Sequence, residues 1–125
     1  MTGRRVLMTA LVVAAALACV PVLNELGGAL AGALSLPSGG TARLAWDLCW
    51  LLLSAFMTVW LPARWSPLWP RGLAVGLAGL WIGAIAWAAW NMGSDFPTWF
   101  IAAVLIGVPI VACAAAWLGA SRRTR

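Results

Sequence analysis

The chain contains no histidine, no tyrosine and no lysine, and its only carboxylates are Glu25, Asp47 and Asp95. Without histidine it loses the commonest general base and metal ligand, without tyrosine the phenol donor, and without lysine the Schiff-base amine. Cys19, Cys49 and Cys113 are the only thiols, and no Cys-x-x-Cys pair offers metal-ligand spacing. The residues therefore assign no catalytic, cofactor-binding or metal-binding position, and the expectation is a protein that is not an enzyme and has no cofactor. Charge is scarce too, with 9% charged residues against 64% hydrophobic and a mean hydropathy of +0.97. That is too little polar surface to cover a soluble globule, so the lipid bilayer is the expected solvent.

What charge there is falls in a pattern. Of the eight basic residues, all arginine, seven (Arg4, Arg5, Arg64, Arg71, Arg122, Arg123 and Arg125) occupy alternate gaps between four apolar runs. Basic residues resist translocation, so the chain should begin in the cytoplasm, cross four times and end in the cytoplasm. The net charge of +5 and pI near 11.2 do not point to nucleic acid, because the arginines sit at helix ends without a long basic stripe. They serve as topology signals and as contacts to anionic headgroups. The fold class is an all-α membrane protein: a four-helix antiparallel bundle, one domain over residues 1–125, in the bacterial inner (cytoplasmic) membrane.

The spans are expected at about 6–25, 44–61, 72–92 and 98–118, each near the roughly 20 residues that cross the hydrocarbon core. Arg5 and Glu25 lie 20 positions apart, or roughly 30 Å of helix, about one membrane thickness. Residues 26–36, rich in glycine and alanine, either extend the first helix or lie in the interface. Pro37-Ser-Gly-Gly-Thr41 marks a turn. The link Pro62 to Arg71, with three prolines, is expected to be non-helical. Ser94 or Asp95 is the expected cap of the fourth helix, with Pro97 in its first turn and a kink at Pro109. A competing reading makes residues 1–18 a signal peptide ending before Cys19, but alanine stands where leucine is usual and everything after Cys19 stays membrane-like. Residues 1–18 are accordingly read as part of the first span.

Two faces stand out. Gly72, Gly76, Gly79 and Gly83 fall on one stripe of the third helix and are read as a helix-packing face, used within the chain or as a homodimer seam. Ala10, Ala14, Ala18, Gly28 and Gly32 are its candidate partners. In the second helix Asp47, Ser54 and Thr58 share a side, and with Glu25 they form the candidate polar functional face. One reading is an Arg43–Asp47 ion pair with two self-satisfied hydroxyls; the other is a proton or cation site. The ten tryptophans suit interfacial belts, while Trp81 sits mid-span and needs a partner for its N–H. Trp46, Trp50 and Trp90 offer an aromatic-lined site at the outer end. Cys19 and Cys49 should share a depth of about 21–23 Å, and three free buried thiols are expected.

Four spans in a short chain invite comparison with small multidrug resistance transporters and dimeric fluoride channels. Glu25 ends its span instead of lying inside it, the lysine and tyrosine positions of the first family are unmatched, and the Thr-Thr-Phe-Ser signature of the second is missing. The composition looks like that of small bacterial inner-membrane proteins. The leading expectation is a non-catalytic structural, assembly or accessory component with a homodimer or membrane-protein partner. The alternative is a small dimeric transporter or channel that uses Glu25 and Asp47.

Overall fold

A membrane-like run of Leu, Ala, Val and Trp has one economical way to satisfy its backbone without water, which is to bond every N–H and C=O inside a helix. The computed structural model, which describes residues 1–121, realises this four times. Helix α1 spans Thr2–Ala33, α2 Thr41–Trp65, α3 Pro70–Met92 and α4 Thr98–Ser121, with a single 3-10 turn at Gly93–Asp95. All four are long and apolar enough to cross a membrane. Arg122, Arg123 and Arg125, three of the topology signals, lie outside the described residues.

Several boundaries differ from the sequence expectation. Helix α1 runs through Asn24 and Glu25 to Ala33, so of the two alternatives left open for residues 26–36 it is extension of the first helix that holds, over 26–33. Its 32 residues are about 48 Å long against a hydrocarbon core of about 30 Å, so it must tilt or project its last turns. It stops where Ser35 turns left-handed (φ 56°) and the N–H groups of Ser35 and Leu36 donate to the carbonyls of Gly32 and Ala31, closing two of the acceptors that the helix end leaves open. The three-proline link shrinks to residues 66–69, because Pro62 is absorbed into the last turn of α2 and Pro70 opens α3. Proline at a first turn loses nothing, since its N–H would be unpaired there anyway. The α4 cap falls on Pro97, whose carbonyl accepts from Phe100 and Ile101, in place of Ser94 or Asp95. Helix α4 continues through Pro109 to Ser121 as one element.

The 66–69 link is pinned by a buried serine. Ser66 Oγ donates to the Leu68 carbonyl at 2.6 Å and lies 3.3 Å from Thr9 Oγ1 of α1, while its N–H donates to the Pro62 carbonyl at 3.1 Å. Trp69, next in line, is exposed and left-handed (φ 44°) immediately before Pro70, a conformation that costs a bulky residue about 1–2 kcal/mol.

Contacts fix the helix directions. Thr9 meets Ser66, Ala16 meets Thr58 and Gly27 meets Trp46, so α1 and α2 run antiparallel. Leu52 meets Gly107 and Ala63 meets Gly119, so α2 and α4 run parallel. Helix α2 is the hub, packing on α1, α3 and α4. The core is built from Val59 and Ala63 of α2, Ala74 and Ala78 of α3, and Ala112 and Ala115 of α4; a second cluster joins Ala55, Ile85 and Val108. Alanine dominates because helices in lipid associate through close van der Waals approach, which small side chains permit. Helix α1 contributes nothing to either cluster and leans on α2 from the side. The result is a three-helix core with a flanking fourth helix. Arg4, Arg5, Arg64 and Arg71 share one end of it; Glu25, Asp47 and Asp95 share the other.

Candidate functional site

The carboxylate end holds the polar face read from the sequence. Asn24, Glu25, Gly28 and Ala29 of α1, Arg43, Leu44, Asp47 and Leu51 of α2, and Phe96 and Phe100 at the start of α4 line a cavity of about 560 Å³. It exists because α1 and α4 both pack on α2 and leave a wedge between them. Arg43 Nε donates to Asp47 Oδ1 at 3.1 Å, one helical turn away. Both side chains are partly exposed, so this pair is worth at most about 1 kcal/mol. The Arg43 guanidinium reaches across to α1, where a Cβ added at Gly28 would make ordinary contact with one of its terminal nitrogens at 4.0 Å. Glu25 is exposed in the same cavity and, among the described residues, has no hydrogen-bond or ion-pair partner.

Ser54 and Thr58 do not join this cavity. Both are buried deeper along α2, where Ser54 Oγ donates to the Trp50 carbonyl at 2.8 Å. Thr58 Oγ1 lies 2.7 Å from the Ser54 carbonyl and 3.4 Å from the Ala16 carbonyl of α1. The stripe is thus divided: Asp47 opens on a polar cavity floored by Leu51, Phe96 and Phe100, while the two hydroxyls are satisfied by backbone. Among the described residues no buried side-chain nitrogen or oxygen lacks a partner. The face thus holds the Arg43–Asp47 pair and two hydroxyls bonded to backbone, with Thr58 also reaching α1, while Glu25 has no partner among the described residues.

A clasp that sequence reasoning missed holds the same end together. Trp46 donates its indole N–H to the Gly27 carbonyl at 2.8 Å, and the ring of Trp50 lies over Gly27 so closely that a Cβ would stand 2.6 Å from Trp50 Cγ. The signal was present as a lone Gly-Gly in α1 and a Trp-x-x-x-Trp in α2, spaced to face one another. The two tryptophans are therefore committed to α1, with ring centroids 6.1 Å apart. Trp90 is 90% exposed on α3, so the aromatic site expected from Trp46, Trp50 and Trp90 does not assemble.

The glycine stripe is a second correction. Gly76, Gly79 and Gly83 have no neighbour within 4 Å of an added Cβ, and Gly72 meets only the Cβ of Trp69 at 3.8 Å. Helix α3 packs instead through Ala74, Ala78 and Ile85, so the stripe is not a packing face within the chain. Its candidate partners lie elsewhere: Ala10 and Ala14 line an apolar groove with Leu68 and Trp69, and Gly28 lines the polar cavity. The glycines that do pack are Gly27, Gly107 and Gly119, each under one side chain or backbone segment.

Trp81 is half-buried between the two core clusters, and among the described residues its N–H finds no acceptor. Trp65, Trp69 and Trp117 are exposed at the arginine end, Trp87, Trp90 and Trp99 at the other, two rings of indoles placed as interfacial belts are. Arg64 stacks over Trp65 at 5.1 Å to the ring centroid. The three cysteines are free, but Cys49 and Cys113 are exposed and Cys19 only half-buried, in place of the buried thiols expected. Among the described residues no group of histidine, cysteine or carboxylate side chains is placed to hold a metal. Compared with models of known protein families, with curated proteins and with solved structures, the chain matches none.

Proposed function

We propose that this chain is a non-catalytic assembly or accessory component of the bacterial cytoplasmic membrane, crossing four times with both termini on the cytoplasmic side. The observation that carries the reading is the uncovered glycine stripe of α3. Three of its four small residues, Gly76, Gly79 and Gly83, present bare backbone with nothing of the same chain against it, and Gly72 meets only the Trp69 Cβ; in lipid such a surface favours close approach by another helix. Helix α1 adds a second uncovered apolar surface, since Val6, Leu7, Leu11, Leu17, Val22 and Leu26 are all exposed. The orientation rests on Arg4, Arg5, Arg64 and Arg71 sharing one end, with the positive-inside tendency deciding which side that end faces. The test is to solubilise native membranes mildly and purify the tagged chain. Stoichiometric recovery of a second copy or of one membrane protein, lost in Gly76→Leu/Gly79→Leu while helicity and thermal stability persist, is the expected result. A monomer alone in both forms would overturn it.

A second reading, a small transporter or channel, draws on Glu25 and Asp47 lining one cavity. It ranks lower because the floor of that cavity is apolar and the deeper hydroxyls of Ser54 and Thr58 are bonded to backbone. Flux of protons or cations into vesicles that falls in Glu25→Ala/Asp47→Ala would favour it; unchanged flux would count against it.

A further inference from the structure

We propose that the mixed-charge cavity at the carboxylate end binds the headgroup of a phospholipid that carries a primary amine, of the phosphatidylethanolamine class. The inference rests on the helices spanning a bilayer and does not depend on the assembly reading above.

Three features of the cavity point the same way. Its charges are of both signs and incompletely paired: Glu25 has no partner among the described residues, and of the five N–H donors of Arg43 only Nε–H is engaged, by Asp47. A zwitterionic headgroup is the complement of that arrangement. Its ammonium supplies donors to a carboxylate that lacks them, and its phosphate supplies acceptors to a guanidinium with donors to spare. Next, the cavity is open between α1 and α4 at the level where the chain carries its interfacial tryptophans, 20 residues along α1 from Arg5, so a lipid can reach it without leaving the membrane. Lastly, the walls turn apolar in one direction. Leu51, Phe96 and Phe100 line both this cavity and a groove of about 310 Å³ between α3 and α4, whose remaining walls include Trp81, Ile85 and Val104. Phe96 and Phe100 stack at 5.2 Å between centroids and form the ridge between the two hollows. A headgroup on the polar side and an acyl chain across that ridge would meet surfaces of matching character, which a free solute would not use.

The carboxylates give the amine its specificity. A primary ammonium donates three hydrogen bonds, and each N-methyl group removes one while keeping the charge. The test is native mass spectrometry of the purified, delipidated full chain in detergent, titrated with dioleoyl-phosphatidylethanolamine, its N-methyl and N,N-dimethyl derivatives, and dioleoyl-phosphatidylcholine. Wild-type protein should retain the primary amine about two- to fivefold better than phosphatidylcholine, the range of a partly exposed ion pair, with retention falling stepwise along the methyl series. Glu25→Gln should bring the ratio to about one. Arg43→Gln should weaken retention of every lipid in the series and leave the ratio in place. Free phosphoethanolamine, with no acyl chain, should not compete at concentrations equal to the lipid. Equal retention along the methyl series in the wild type overturns the proposal whether or not any variant folds. An unchanged ratio in Glu25→Gln of wild-type helicity, or effective competition by phosphoethanolamine, overturns it as well.

Discussion

Replacing Gly119 by alanine adds one methyl group, and the structure says where it would go. The new carbon would stand 2.5 Å from the Ala63 Cβ and 3.3 Å from both the Ala63 carbonyl carbon and the Arg64 nitrogen. None of those atoms is the end of a flexible side chain that can swing aside. Carbon atoms pack best at about 3.5–4.0 Å, so α2 and α4 must part by roughly 1 Å near this point. A gap of that size forfeits a quarter to a half of the attraction of each contact it opens, and Val59, Ala63, Ala112 and Ala115 of the core sit on these two helices. Overpacking of this kind costs about 1–3 kcal/mol, or about a five- to 150-fold fall in the folded to unfolded ratio. For the monomeric chain Gly76→Ala is the matched control, because within the chain its added carbon meets nothing within 4 Å. It should be neutral or gain up to about 1 kcal/mol of helix propensity. The assay is reversible unfolding from lipid-detergent micelles by sodium dodecyl sulfate, followed by the fluorescence of the ten tryptophans. A Gly119→Ala protein as stable as Gly76→Ala would refute the reasoning and with it the parallel seat of α4 on α2.

The remaining expectations concern individual contacts. Gly27→Ala drives a methyl group into the Trp50 ring and strains the Trp46 bond to the Gly27 carbonyl. It should cost about 1–3 kcal/mol and, in hydrogen exchange, raise the rate in α1 residues 24–33 while leaving α3 and α4 protected. Thr58→Val removes a buried hydroxyl whose one proton goes to the Ser54 carbonyl at 2.7 Å, with the Ala16 carbonyl of α1 farther off at 3.4 Å; hydrogen bonds between helices in lipid average about 0.6 kcal/mol, so a loss above about 2 kcal/mol in the same unfolding assay would show that Thr58 does more than bond backbone. A membrane-permeant maleimide should modify the exposed Cys49 and Cys113 faster than Cys19 in micelles, and nonreducing gels of the untreated protein should show no intrachain disulfide.

How far the sequence carried depended on the physics behind each signal. Four helices and their turns were legible because length, proline and glycine clusters decide them, and the structure reproduces each element. The end of α1 was not, since Asn24 and Glu25 resemble a boundary while the backbone beyond them remains good helix up to the Ser35 turn. Pro62 misled in the opposite sense: a proline close to a helix end loses one bond and can be absorbed. The deeper failure was which face packs inward. In a soluble protein apolar periodicity marks the core, but here lipid outside is as apolar as the interior, so the glycine stripe of α3 and the alanines 74 and 78 look equally suited to packing. Only coordinates show that the alanines face α2 and α4 and the glycines face away. The candidate polar site was half legible. Glu25 and Asp47 do share a cavity, whereas Ser54 and Thr58 are separated from it by burial that spacing alone cannot report. The Trp46, Trp50 and Gly27 clasp required knowing the register of α1 against α2, which the sequence does not state.

The proposed function requires a chain that threads the bilayer four times with its arginine end in the cytoplasm. Single cysteines placed at Thr2, Ser38, Pro67 and Ser94 in a background lacking Cys19, Cys49 and Cys113 test this directly, with a membrane-impermeant maleimide applied to sealed cells. Ser38→Cys and Ser94→Cys should label in intact cells, and Thr2→Cys and Pro67→Cys only after permeabilisation. Labelling of Thr2→Cys or Pro67→Cys in sealed cells, or protection of Ser38→Cys and Ser94→Cys, would contradict the orientation and every functional reading built on it.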